Sequence, residues 1–253
     1  MNILLTNDDG IYSEGIFVLH EALKKIGTVS VVAPETEQSA VGHAITMSDP
    51  LRVKDAYRKM KYFGHAVSGT PADCVKIAIQ CILKKKPDLV VSGINLGPNT
   101  GFSVLYSGTV SGATEGAIFG IPSIAVSLGT FENPKFDFAA SFTAKLAKLV
   151  YKNDLPKGTL LNLNVPACDP SKIKGVRITK QGETPIIENF DKRIDPRKRT
   201  YYWLEGEVID LKGEKDSDIV ALKKSYITIT PIQYDLTNHG FIEELKSWKI
   251  ERG

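Results

Sequence analysis

Residues 2–34 read NILLTNDDGIYSEGIFVLHEALKKIGTVSVVAP. Asn2–Thr6 is an apolar run of strand length, a helix is expected from about Glu14 to Ile26, and Thr28–Ala33 is a second strand ended by Pro34. Strand, helix and strand in this order make the βαβ unit of a parallel sheet. Apolar runs of this kind fit strands covered on both faces. The pattern predicts an α/β fold: a mostly parallel, Rossmann-like sheet flanked by helices.

The same rhythm continues to about residue 170. After the polar loop PETEQSAVGHA, weaker strand signals lie at Ile45–Ser48 and Tyr62–Val67. In SGTPADCVKIAIQCIL, Thr70 is expected to cap a helix, with Pro71 at its first position and Asp73 three residues on. Asp88–Gly93 reads as a buried strand, and residues 94–112 as a glycine-rich loop entering a helix of small residues. Ile121–Leu128 and Thr159–Val165 are further strands around an amphipathic helix at Phe136–Tyr151. Beyond residue 170 the pattern thins. Strands are expected at Val176–Thr179, Tyr201–Glu207 and Tyr226–Ile232, and a polar loop with Pro185 and Pro196 between the first two. A short helix is expected at Ser217–Lys223 and a closing helix at Asn238–Trp248, capped by Asn238. The division expected is a Rossmann-like main unit at 1–170 and an extension at 171–253, with a β-hairpin and a terminal helix, placed to reach onto a neighbour in an oligomer.

Composition narrows the function classes. The 253 residues are 42% hydrophobic and 24% charged, an ordinary globular balance that argues against global disorder. The net charge of +3 is too small to imply a nucleic-acid polymer as partner. The clearest basic excess is KRIDPRKR at 192–199, read as a solvated or inter-subunit loop or as a steering patch for anions. Three cysteines, Cys74, Cys81 and Cys168, make no disulfide framework; Cys74 and Cys81 are expected as core thiols. No secretory signal and no membrane-length apolar run stands out, so a cytoplasmic protein is expected.

Chemistry concentrates in three loops. Asn7-Asp8-Asp9-Gly10 follows the first strand, and ligands of open α/β sheets sit beyond the carboxyl ends of strands. Adjacent carboxylates repel, and a cation relieves the repulsion. An all-oxygen donor set favours Mg²⁺, Ca²⁺ or Mn²⁺. The alternative is a plain polar turn. Asn95, past DLVVSG, and Ser39, in the loop after VSVVA, can supply neutral oxygens, or can equally be an Asx turn and a loop serine. Ser107-Gly108-Thr109 opens a helix, where free N–H groups and hydroxyls make an anion pocket as well as a cap. Of the histidines, His20 is expected to be structural, and His43, four residues after Ser39, is a candidate near substrate. Phe102 and Tyr106 are expected to pack, with lining of a ring pocket as the alternative. Neither G-x-G-x-x-G nor a P-loop signature is present, which disfavours an NAD-dependent oxidoreductase and a triphosphate site. A non-enzymatic assembly protein is a third possibility.

Five segments carry a family resemblance: ILLTNDDG, VVAPETEQSAVGHAIT, GTPADCVKIA, PDLVVSGINLGPNTG and YSGTVSGATEG. In this order and spacing, and with the late SYITITPI, they resemble the survival protein E (SurE) family of metal-dependent nucleotidases. The resemblance implies one divalent ion per subunit, Mg²⁺ or Mn²⁺, held by Asp8, Asp9, Ser39 and Asn95. It implies a phosphate pocket at Ser107, Gly108 and Thr109, and hydrolysis of nucleoside 5′- and 3′-monophosphates. Short polyphosphate as a further substrate and a homodimer or homotetramer follow from the same resemblance. Catalysis would then rest on Asp8, Asp9, Asn95, Ser107 and Thr109. Asp9 is the general-base candidate, with water attack unaided by a side-chain base left open.

Overall fold

The computed structural model describes residues 1–183, 186–208, 216–248 and 250, with the backbone alone at 186–188 and 205–208. The elements run β1 (Asn2–Thr6), α1 (Glu14–Leu23), β2 (Thr28–Pro34), β3 (Val53–Arg58), β4 (Lys61–Val67) and α2 (Pro71–Ile77). Then come β5 (Leu89–Leu96), α3 (Ser103–Tyr106), α4 (Gly108–Ile118), β6 (Ser123–Gly129), α5 (Asp137–Asn153) and β7 (Thr159–Pro166). The later part holds β8 (Val176–Ile178), β9 (Ile186–Ile194), β10 (Thr200–Val208), α6 (Asp218–Lys223), β11 (Ile227–Gln233) and α7 (Ile242–Ser247).

Nine strands form one sheet in the order β3-β4-β2-β1-β5-β6-β7-β11-β8, and β9 with β10 forms a separate antiparallel ribbon. From β4 to β7 every pairing is parallel; β3 and β11 run antiparallel to their neighbours β4 and β7. The expected α/β class is the observed one. β1 shows why. Ile3 and Leu5 join the core with α1 and α5 on one face, and Leu4 joins the core with α2 on the other. Burial of each such side chain stabilises the fold by roughly 1.5–3 kcal/mol. A strand apolar on both faces therefore has to lie between two helical layers.

The chain leaves β1 toward β2 on one side and returns through β5 on the other. That is the switch point where an open α/β sheet leaves a crevice beyond its strand ends. α4 closes against it. Cβ atoms at Gly112 and Gly116 would lie 2.9 Å from Ser92 Oγ and 2.4 Å from Ser123 Oγ, so small residues let this helix sit flush on β5 and β6. Buried on nearly every side, α4 carries no amphipathic stripe.

Several local expectations change. Ile45–Ser48 is irregular rather than a strand, and the edge strand is β3 instead. Its β-prone residues are held by side chains: the Thr46 N–H and hydroxyl donate to Asp73 at 3.1 and 2.7 Å, and Thr70 Oγ1 donates to Ala44 O at 2.7 Å. The Thr70–Asp73 capping box forms as expected, but α2 passes into a π-helical turn at Ala78–Ile82. That turn leaves Cys81 exposed and only Cys74 in the core. The polar loop expected between Val176–Thr179 and Tyr201–Glu207 contains β9; Pro185 lies outside the described residues. The last helix starts at Ile242, and Asn238 Oδ1 accepts from the Phe241 N–H at 3.2 Å one turn earlier. Among the described residues no helix is long and apolar enough to cross a membrane.

Candidate active site

The acids leave the carboxyl end of β1 at the switch point. Asn7 is fully buried, and its Nδ2 donates to Gly10 O and to Ser13 Oγ, both at 2.9 Å, which shapes the turn. Its Oδ1 is buried without a partner among the described residues. The main-chain carbonyl of Asp8 accepts from the Gln38 N–H at 2.8 Å. Its Oδ1 accepts a hydrogen bond from the Thr109 hydroxyl. Gly108 lies against the same side chain: a Cβ there would be 2.7 Å from Asp8 Cβ and 3.1 Å from Gln38 O. Asp9 reaches the other way, its Oδ2 accepting from the Leu96 N–H at 3.3 Å. Leu96 is the neighbour of Asn95, where the β5–β6 register shifts between Ser92 and Asn95 and re-aims the chain. Asn95 Nδ2 donates to Gly97 O at 2.8 Å, which leaves the amide oxygen as the end a cation would take.

The electrostatics of the pair are unfavourable as they stand. Burial raises the Asp8 carboxyl, against hydrogen bonds from Thr109 that lower it. Burial, then the charge of Asp8, pushes Asp9 up to about 7. Glu37, a third acid that its sequence position did not single out, raises both. Among the described residues no basic side chain pairs with either carboxylate, and no group of three or more His, Cys, Asp or Glu side chains gathers. Two desolvated carboxylates, an orphaned amide oxygen beside them and an amide on the neighbouring strand end make an oxygen donor set suited to a hard divalent cation.

The predicted residues are not all placed alike. Asp8, Gly108 and Thr109 meet directly, and Asp9 reaches the residue next to Asn95. Ser107 caps α4, accepting from the Val110 N–H at 3.1 Å, and its own proton stays available to donate. Ser39 is exposed, and its hydroxyl donates to Glu37 Oε1 at 2.6 Å; the link from its loop to the acids is Gln38. Phe102 and Tyr106 are 40% and 59% exposed, so neither is the packing residue expected. His20 lies edge-on to Phe63, in the structural place expected. In the segment 192–199, Arg193 and Arg199 pair with Asp191 and Asp195 of their own ribbon, which leaves less of its charge for steering anions.

His43 goes to α4 rather than to the acids. Its Nε2 is 2.8 Å from Oε2 of Glu115, a carboxylate only 2% exposed, and Lys76 Nζ is 2.7 Å from Oε1. With Gly42 N–H donating to Tyr106 O at 2.9 Å, the pair fastens the Ser39 loop across α2 and α4. Burial acts most strongly on Glu115 and would raise it, but the bonds from His43 and Lys76 outweigh burial, and the carboxyl lies below its ordinary 4.5. A depressed carboxyl contributes stability above its unfolded value, and that contribution is lost as the pH falls through the folded value. Lys76→Met is therefore expected to cost about 1–3 kcal/mol at neutral pH. That is less than a fully buried pair would lose, because the Lys76 side chain is 40% exposed. The gap between parent and variant should close as the pH drops below 4.5. Urea denaturation at neutral and acid pH checks both statements.

The glycine-rich loop after β5 is equally well tied. Asn99 O accepts from Asn162 Nδ2 at 2.8 Å and Asn164 Nδ2 at 3.0 Å, and Asn99 Nδ2 donates to Ser127 Oγ at 2.9 Å. The fully buried Asp218 accepts from the Gly101 and Gly182 N–H groups at 3.1 and 2.9 Å.

Comparison with known proteins adds an independent line. Residues 3–188 match the family model described as Survival protein SurE. The chain is 50% identical over 250 residues to the 5′-nucleotidase SurE of Syntrophobacter fumaroxidans, covering 99% of this chain and 100% of that one. It is 52% identical over 249 residues to the 5′-nucleotidase SurE of Moorella thermoacetica, covering 98% and 96%. Among solved structures, the SurE protein of Aquifex aeolicus is similar with a TM-score of 0.86 at 42% identity, covering 99% of this chain and 100% of that one.

Proposed function

The chain belongs to the SurE family, and from that premise we propose that it is a divalent-metal-dependent phosphomonoester hydrolase. Its proposed substrates are nucleoside 5′- and 3′-monophosphates. The observation that carries the reading is the meeting of Asp8 with Gly108 and Thr109, which brings a buried acid to the N-terminus of an eleven-residue helix. Carboxylates and a helix start attract opposite charges, so a site built from both suits a cation bridged to an anion such as phosphate.

In this reading Asp8 and Asp9 would hold one Mg²⁺ or Mn²⁺ ion, with Asn95 and Ser39 as neutral oxygen donors. When bound, such an ion neutralises phosphate charge and lowers the pKa of water. The Ser107 hydroxyl and the Gly108 N–H hold the non-bridging oxygens as charge shifts in the transition state. The Thr109 hydroxyl donates a hydrogen bond to Asp8 and so orients that carboxylate. Asn7 builds the turn that presents both acids. Exposed Phe190, Tyr202 and Trp203 on the β9–β10 ribbon support homodimer or homotetramer contacts from the extension at 171–253. Three unpaired cysteines fit a reducing, cytoplasmic setting.

A phosphate-release assay on AMP, GMP, an aryl phosphate and tripolyphosphate tests the reading. Mg²⁺ or Mn²⁺ should support turnover of the nucleotides, EDTA should abolish it, and added metal should restore it. Absence of phosphate release from every substrate across the divalent ions would reject the enzyme.

A further inference from the structure

We infer that Phe131 is the platform on which the planar base of the nucleotide stacks, an inference that rests on the nucleotidase reading above. Phe131 lies in the connection that follows β6, at the carboxyl edge of the sheet, and its ring lies over Gly97. A Cβ on Gly97 would be 2.2 Å from Phe131 Cε1 and 2.7 Å from Cζ, so the ring fills the space a side chain would take. The positive φ of +108° at Gly97 independently favours glycine there. The Gly97 carbonyl also accepts from Asn95 Nδ2 at 2.8 Å. The ring therefore covers the residue that follows β5, whose carbonyl holds the amide of a proposed cation donor. A ribose separates phosphate from base, so a base platform belongs beside the cation donors rather than among them.

Phe131 nevertheless remains 72% exposed. Its exposed surface contributes little to folding, yet the turn around it is braced. The Thr130 hydroxyl donates to Glu132 O at 2.9 Å and accepts from the Glu132 N–H at 3.0 Å. Leu128 O accepts from the N–H groups of Thr130 and Gly97, at 2.8 and 3.1 Å. The backbone that carries the ring is thus already held, so stacking has only the side chain left to order. Stacking reads the π-face of a base and not its hydrogen-bonding edge. The platform therefore selects nucleotides over sugar phosphates without choosing strongly among bases.

The test compares kcat/KM for AMP with that for ribose 5-phosphate in the parent, Phe131→Ala, Phe131→Leu and Phe131→Trp. The AMP-to-ribose-5-phosphate ratio should fall roughly 5- to 100-fold in the Ala and Leu variants, mainly through KM, and be retained by Trp. Trp also gives a readout apart from turnover: the added emission of Phe131→Trp should be quenched by AMP and not by ribose 5-phosphate. An unchanged ratio in Phe131→Ala, a Leu variant equal to the parent, or no selective quenching overturns the platform and leaves the nucleotidase reading standing. A parent that hydrolyses no nucleotide with any divalent ion sinks that reading instead, and the quenching measurement still decides whether a base meets position 131.

Discussion

Replacing Asp9 by Asn should slow phosphate release at least about a thousandfold, the scale of losing several kcal/mol of transition-state stabilisation, while the protein stays folded. The two outcomes have one cause. Asp9 is a half-buried acid beside a second buried acid, with Glu37 adding further negative potential and no basic side chain among the described residues to offset them. Asn keeps the volume and removes the repulsion. In EDTA the variant should therefore melt no earlier than the parent. In Mg²⁺ or Mn²⁺ the parent should gain stability that the variant does not, because a ligand that binds only the folded state stabilises it by mass action. Asp8→Asn should lose turnover similarly and also weaken the charge-assisted bond from Thr109. Near-parent turnover in both variants would dispose of the site. The quantities to measure are kcat at saturating metal and the melting temperature with and without metal.

Gly108→Ala should cost about a hundredfold in kcat, the scale of misplacing reacting groups by about an ångström. On helix propensity alone the substitution is favourable by about 1 kcal/mol. The site reverses that sign. The new methyl would lie 2.7 Å from Asp8 Cβ, 3.0 Å from Asp8 Oδ2 and 3.1 Å from the Gln38 carbonyl. Gln38 O is backbone and Asp8 is anchored through its own main chain, so neither is the free end of a flexible side chain. Overpacking of this kind costs about 1–3 kcal/mol. The net loss of stability should thus be small beside the loss of rate. Parallel melts and kinetics separate the two, and a variant with unchanged kcat would show that α4 does not begin on the reacting groups.

Part of the architecture was legible because its causes are local. Ile3, Leu4 and Leu5 form an uninterrupted apolar run, and only a strand between two helical layers buries all three. Thr70, Pro71 and Asp73 form a capping box within four residues, so the start of α2 was written in the chain. Other segments could not be read this way. Among the described residues β9 pairs only with β10; it carries Asp191, Lys192 and Arg193, and its described side chains at 189–194 show no alternation of buried and exposed. Ile45–Ser48 looks like a strand, but Asp73 holds Thr46 within it, and Thr70 holds the preceding Ala44, outside the sheet.

The site divides along the same line. An acid pair directly after β1 is a property of the sequence: strand length, Asx turn chemistry and adjacent like charges are all decided within ten residues. The partner of each acid is not. Thr109 reaches Asp8 across 101 positions, and Leu96 meets Asp9 across 87. Glu115, an unremarkable helix residue in the chain, finds His43 at a separation of 72. Ser39, which the motif pairs with the acids, donates its hydroxyl proton to Glu37, a contact the motif does not show. These meetings depend on β1 lying between β2 and β5 and on glycines that let α4 approach the sheet. Strand order and helix approach are set by the packing of the whole core, whereas caps and turns are set by a few adjacent residues. The sequence alone therefore determined which groups carry charge and where the strand delivers them, and the tertiary structure decided which of those groups touch.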